Sequence, residues 1–380
     1  MNRSSLLLLA VVTLTAIAGG WFLSQQGSRD EQETFSTWFF EELRANPESL
    51  SQVQIAGAGN KTIATLELGD HGWVVVEKDH YPADETRLSK MLTTMAQAKV
   101  MEPKTDQPQW YSRLGVEDVS TPEAFGIRLD MRGESLHTSV IIGKLAHEIG
   151  GTYARKTDEA RTVLLNQTIE PLRETARWLR PEIIDIPSGN IRSVQITHPD
   201  GEKLKLEKPD PGAIDLNVLN IPAGRELKYK AVASSVAGAL AMLNLVEVAR
   251  FEALHFESIK PVETIFQTND GLEVTTRAYQ RDDQSWLTFD VSAITREDSG
   301  KPGLSEASDS SSEDEHDGTQ VAALEELVET TVETDSSTRA QKLQTKLAGW
   351  VYQIQPFKFQ LLTRRMEDFL KPVETEADQT

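Results

Sequence analysis

The sequence predicts an α+β protein: two tandem repeated modules of antiparallel sheet with helices packed on one face, preceded by one N-terminal transmembrane helix. Three observations carry this. An uncharged, almost wholly apolar run covers Leu6–Leu23 behind the single basic residue Arg3. A pattern of short strands and a helix then occurs twice, opening with Val53-Gln54-Ile55 and again with Val194-Gln195-Ile196. Within each copy, apolar and polar residues alternate with a period of two, as on half-buried strands.

The span 4–24 is predicted to be the anchor. A helix rises about 1.5 Å per residue, so an uncharged run of that length can just cross a hydrocarbon core of roughly 30 Å. Leu6, Leu9, Val12, Ile17, Trp21, Phe22 and Leu23 form its apolar body. A cleaved secretory signal is the competing reading, with Ala16-Ile17-Ala18 as the small residues of a cleavage site. Trp21, suited to an interfacial belt, favours retention. Arg3 stays in the cytoplasm by the positive-inside rule, and the far flank mixes Arg29 with Asp30, Glu31 and Glu33. The C-terminal body is therefore expected outside the cytoplasm, compatible with a bacterial inner membrane, single-pass, and a body in the periplasm.

The chain has no cysteine, so a disulfide framework, a thiolate metal site, a lipobox thiol and cysteine nucleophilic catalysis are excluded. Its formal charge is −20, a sign that repels phosphate backbones and argues against nucleic acid as a partner. Much of that charge is local, since residues 297–335 hold thirteen acidic residues and one Lys.

Residues 25–50 read as a juxtamembrane segment carrying the aromatic cluster Trp38, Phe39 and Phe40. The first module, 51–186, opens with strands at Val53–Ile55, Ile63–Leu68 and Trp73–Glu77. The turn Tyr81-Pro82-Ala83-Asp84 leads into a helix that Asp84 caps. Leu88, Met91, Leu92, Met95 and Ala96 fall on one face of that helix at i, i+3, i+4, i+7 and i+8, a core stripe. Strands follow at Ala124–Met131, Leu136–Ile142, Thr152–Lys156 and Thr162–Leu165. A closing helix through Ile169 and Leu172 is predicted to end at Trp178.

The second module, 190–370, is expected to repeat this plan. Strands fall at Val194–Ile196, Lys203–Glu207 and, more weakly, Ile214–Leu219; the turn Ile221-Pro222-Ala223-Gly224 leads into a helix with the stripe Tyr229, Val232, Val236, Leu240, Leu243. Strands at Val262–Gln267, Leu272–Tyr279 and Trp286–Val291 precede a closing helix through Leu343 and Leu347 that ends at Trp350. Phe359, Leu362, Met366 and Phe369 share one face of a last helix, and 371–380 is a tail. Pro181, Pro187 and Gly189 mark a short junction between the modules. The insert 297–335 is too poor in apolar residues to offset its ordering entropy and is expected to be disordered, with a helical turn or two at Val321–Val332.

Trp73–Glu77, Tyr81-Pro82-Ala83-Asp84, Leu88 and Leu92, Tyr111 with Leu114-Gly115-Val116, Ile142-Gly143, Tyr153-Ala154-Arg155 and Gly349-Trp350-Val351-Tyr352 follow one another behind an N-terminal anchor. This order resembles the bacterial domain-of-unknown-function 4340 family. The resemblance implies a single-pass envelope protein, in some members an auxiliary component of a gliding-motility-type ABC transporter. It brings no catalytic residues with it. Trp73, Tyr81, Pro82, Ala83, Asp84, Tyr111, Leu114, Gly115, Gly143, Tyr153, Trp178 and Trp350 are its structural motif positions in this chain.

No motif specifies a reaction. Gly57-Ala58-Gly59-Asn60-Lys61-Thr62 lacks the adjacent Gly-Lys-Thr and following helix of a phosphate loop, and reads as a hairpin turn. His147-Glu148 lacks a second His at i+4, and His71, His80, His137, His198 and His255 have no ligand spacing. There is no Gly-x-Ser-x-Gly elbow and no activating Ser-x-x-Lys pair. Glu313, Asp314, Glu315 and Asp317 lack the spaced ligands of a calcium loop. The expectation is a tethered scaffold or binding protein without catalytic activity, cofactor or metal, whose partner is a protein such as an ABC-transporter permease. The alternative is an envelope hydrolase or carbohydrate-binding enzyme, with a carboxylate-lined cleft between the modules flanked by Trp110, Tyr111 or Tyr153. A purely structural role bridging membrane and cell wall is a third reading.

Overall fold

The computed structural model describes residues 37–210, 212–229, 231–294 and 335–372. The anchor residues Leu6, Leu9, Val12, Ile17, Trp21, Phe22 and Leu23, nearly all of the insert 297–335 and the tail beyond 372 lie outside the described residues. Among the described residues no helix is long and apolar enough to cross a membrane. The chain is α+β, with two large antiparallel sheets and few helices. It divides into two compact units between Arg180 and Pro181.

In the first unit, a short helix α1 (Glu41–Ala45) and a 3-10 turn (Pro47–Ser49) lead into β1 (Leu50–Gly57), β2 (Lys61–Gly69), β3 (Gly72–Val75) and β4 (Tyr81–Pro82). Helix α2 (Glu85–Ala96) and β5 (Val100–Pro103) come next, then α3 (Tyr111–Leu114) and β6 (Ile127–Gly133), β7 (Leu136–Leu145), β8 (Thr152–Lys156) and β9 (Thr162–Leu165). The strand order is β4-β3-β2-β1-β6-β7-β8-β9-β5. β1 and β6 carry the expected alternation, with Val53, Ile55, Leu129 and Met131 fully buried. Asp84 caps α2 by accepting from Arg87 N at 3.1 Å. Leu88 and Met95 of the predicted stripe are buried, whereas Met91, Leu92 and Ala96 are half-buried. The Gly57–Thr62 stretch is the β1–β2 connection, where Gly59 adopts φ +67°.

The second unit contains β10 (Glu182–Ile184), β11 (Ile191–Thr197), β12 (Lys203–Glu207), β13 (Asn217–Val218), α4 (Ser234–Ala237), β14 (Leu243–Arg250), β15 (Val262–Thr268), β16 (Leu272–Arg281) and β17 (Gln284–Ala293). It closes with helix α5 (335–347), β18 (Trp350–Ile354), α6 (Pro356–Leu362) and α7 (Met366–Phe369). Its strand order is β10-β14-β18-β17-β16-β15-β11-β12-β13. Because β10 pairs with β14, residues 182–184, which the sequence places in the first module, belong to the second sheet.

Several predicted helices are shorter or differently built. The second-module stripe is one turn, α4, continued as a 3-10 turn over Gly238–Leu240, and Leu243 already begins β14. Gly238 and the β-branched residues around it weaken a helix. Val232, Val236 and Leu240 are nevertheless buried, while Tyr229 is 62 % exposed. No α-helix closes the first unit: Pro171 interrupts the pattern, and Trp178 ends a 3-10 turn over Thr175–Trp178. Trp350 is the first residue of a strand, not the last of a helix; Gly349 at φ +78° turns the chain from α5 into β18. The last helix is broken into α6 and α7 at residues 363–365, and Leu362 and Phe369 are both fully buried.

Candidate binding surfaces of the first unit

Most motif positions hold elements together. Tyr81 and Ala83 are buried, and Ala83 N and Asp84 N donate to Trp73 O and Trp178 O at 2.8 and 2.7 Å. Pro82 O accepts from Arg180 N at 2.9 Å, and Trp178, 1 % exposed, donates its indole N–H to Leu172 O. The motif turn is thus the bracket that fixes the start of α2 against the end of the unit.

A second bracket carries the crossing loop between β5 and β6. Tyr111 packs with Val116 and Ile141 beside Tyr153. Arg155 lies 4.8 Å from the Tyr111 ring and donates to Val116 O at 3.0 Å, and the Tyr111 hydroxyl donates to Ala160 O. Leu114 and Gly115 pass directly over Gly143, where a Cβ would stand 2.5 Å from Leu114 O. Tyr111 and Tyr153 both pack in this bracket. In the second unit Trp350 is buried at 8 % exposure, with the Arg250 guanidinium 3.6 Å above its ring.

Trp73 stands apart because it opens onto a groove. α1, the Pro47–Ser49 turn, the β2–β3 hairpin and one side of α2 enclose about 750 Å³. Its apolar lining comes from Leu43, Leu50, Leu68, Trp73, Leu88 and Leu92, and Arg44, Glu48 and Glu85 also line it. Leu43, Leu50 and Leu88 are buried, while Leu68 is 50 % exposed. Trp73 is positioned by Glu85, whose Oε1 accepts from Trp73 N at 3.0 Å. The half-buried Leu92 and Ala96 of the α2 stripe also line this groove. Leu68 was not legible as a site residue; an apolar residue beside the Gly69-Asp70-His71-Gly72 turn was the only trace.

Among the described residues the histidines do not assemble. His198 is buried, its Nε2 3.1 Å from Arg364 O, and His71, His80, His137, His147 and His255 are exposed. Among the described residues no three His, Asp or Glu side chains converge as metal ligands. Asp118, on the crossing loop, is held below the ordinary carboxylate range by hydrogen bonds from the Ser120 backbone and side chain, then by Arg155 and Arg128.

These features define a two-unit α+β protein built on antiparallel sheets, with an apolar groove on its first unit. A family model described as Domain of unknown function (DUF4340) matches residues 73–262, half of the chain, and the chain belongs to that family. The match begins at Trp73, the groove residue, and ends at Val262, the first residue of β15, so it draws on both units. Neither a curated protein nor a solved structure matches the chain.

Proposed function

We propose that the protein is a membrane-anchored periplasmic scaffold or binding protein, non-enzymatic, whose body is two copies of one module and whose partner is a membrane protein such as an ABC-transporter permease. The groove carries this reading. It offers Leu68 and Trp73, partly exposed, over a floor of Leu43, Leu50 and Leu88, a surface suited to the apolar face of a helix. The uncharged run Leu6–Leu23, read as the tether, would hold the groove beside proteins of the same membrane.

The strand plans support duplication. From one edge, β5-β9-β8-β7-β6-β1-β2-β3 corresponds to β14-β18-β17-β16-β15-β11-β12-β13. A 3-10 turn precedes both β1 and β11. The pairing register slips between Leu50 and Gln52 on β1 and between Ile191 and Ser193 on β11. It slips again between Val100 and Glu102 on β5 and between Leu245 and Glu247 on β14. Outside β5, Trp38 bridges Lys99, as β10 pairs with β14. On this correspondence the acidic insert separates β17 from β18, where β8 and β9 are joined by only Thr157–Arg161.

The test is co-purification from detergent-solubilised membranes. The chain should retain a membrane-protein partner, and Leu68→Glu with Leu92→Glu should weaken retention at least tenfold, since each buried apolar side chain is worth about 1.5–3 kcal/mol. Recovery of the chain alone in several mild detergents would overturn the reading.

A further inference from the structure

The crossing loop of the first unit presents a second surface of different chemistry. Trp110 and Phe125 are 39 % and 44 % exposed. The Arg113 guanidinium lies 4.1 Å from the Trp110 ring. Arg173 and Lys144 lie 4.8 and 5.4 Å from the Phe125 ring. The strip is continuous: Lys144 Nζ donates to Ser112 O and Arg113 O at 3.0 and 3.3 Å, and Arg173 donates to Phe125 O at 2.9 Å. A depression of about 350 Å³ beside Trp110 and Arg113 adds Pro103 and the ion-paired Lys104 and Glu102 to its rim.

Arg113, Lys144 and Arg173 pair with no carboxylate among the described residues, although the chain carries a formal charge of −20. Four other cations of the unit do have carboxylate partners, in Arg87–Asp84, Arg128–Asp130, Lys156–Glu159 and Lys104–Glu102. Glu117, next to the strip, is turned inward: Oε1 accepts from Phe125 N at 2.9 Å and Oε2 is buried. The backbone beneath is fixed by the close approach of Leu114 to Gly143, so three uncompensated charges and two aromatic rings sit on a rigid platform.

We infer that this strip is a contact surface for anionic phospholipid headgroups, with Trp110 and Phe125 at the interface and Arg113, Lys144 and Arg173 on the lipid phosphates. Aromatic rings favour the bilayer interface and clustered cations draw anionic lipid. This rests on the tethered reading: the twelve residues from Gln25 to Ser36 separate the apolar run from the described unit, a reach of at most about 40 Å, so the start of the first unit is held near the surface. The tether fixes the chain to the membrane and the strip fixes which face of the first unit lies against it.

The experiment uses the full chain in nanodiscs of phosphatidylcholine, with and without phosphatidylglycerol, read by amide hydrogen exchange. Peptides covering 104–126 and 143–150 should exchange more slowly in the phosphatidylglycerol discs, by about fivefold or more, and peptides from β15–β17 should not change. Arg113→Glu with Lys144→Glu and Arg173→Glu should abolish the slowing. The milder Arg113→Gln, Lys144→Gln, Arg173→Gln variant and ~1 M salt should each reduce it. Equal exchange in both lipids, or slowing that survives charge reversal, overturns the inference. Slowing produced instead by an added Glu- and Phe-rich peptide in phosphatidylcholine discs overturns it in favour of an acidic protein segment. Failure of the chain to enter discs of either composition refutes the tether alone. The free chain is then mixed with phosphatidylglycerol vesicles, where binding weakened roughly a hundredfold by charge reversal sustains the strip and no binding refutes it.

Discussion

At the scale of single residues, the sharpest constraints are steric and local. Gly143 lies near the end of β7 in a pattern that any small or β-branched residue could fill, yet Leu114 O and Gly115 O would lie 2.5 and 2.9 Å from a Cβ there. Backbone atoms cannot rotate away, so Gly143→Ala should cost ~1–3 kcal/mol in urea unfolding and loosen the crossing loop, visible as faster amide exchange over 111–126. Asp118 makes a pH-dependent contribution. Its folded pKa is lowered by Ser120, then by the two arginines, so folding favours the carboxylate. That stabilisation is complete above the unfolded value near pH 4 and disappears as pH falls through the folded one. Asp118→Asn should therefore flatten the acid limb of stability, with the difference between wild type and variant constant above about pH 4 and shrinking as pH falls below it. The sequence showed Gly143 and Tyr111 as motif positions but not why, because the contact that explains both joins residues about thirty apart in the chain.

At the scale of elements, legibility followed the strength of the local signal. β1, β6, β11, β15 and β16 alternate over most of their length, β7 carries the apolar run Val140–Ile142, all six were placed within a few residues, and α2 has a cap, a stripe and no breaker. The edge strands β4, β5, β10 and β13 are two to four residues long, too short to show a period. The second-unit stripe misled because Val232, Val236, Leu240 and Leu243 are indeed all buried, though one helical turn, a 3-10 turn and a strand deliver them rather than a continuous helix. The same ambiguity hid the groove. Leu92 and Ala96 lie on the stripe of α2, and an apolar residue lining an open groove has the same spacing as one in a core. A helix is distinguished there only by its partial exposure, which is why the Leu68→Glu, Leu92→Glu pair should impair partner retention while leaving the thermal midpoint of the chain within a few degrees of wild type.

At the scale of the whole molecule, the two sheets share no strand, and the division between Arg180 and Pro181 falls where β9 and the Trp178 turn have completed the first sheet. Each unit has its own buried core, with Trp178, Phe40 and Met95 in one and Tyr352, Phe266 and Phe369 in the other. Chains of that length bury enough surface to fold alone. Expressed separately, residues 37–180 and 181–372 should each give protected amides in their central strands, β1 with β6 and β11 with β15; loss of protection in both would show that the sheets depend on one another. The proposed anchor rests on composition alone, and the proposed partner is the reading least written in sequence, since a binding surface needs no fixed motif. The central claim is a body displayed outside the cytoplasm on one N-terminal tether. External protease added to intact spheroplasts carrying an N-terminally tagged chain tests it most directly. The account predicts loss of both sheet units and survival of a short tagged fragment in the membrane, whereas a full-length, protected chain, or one released intact into the periplasmic fraction, would contradict it.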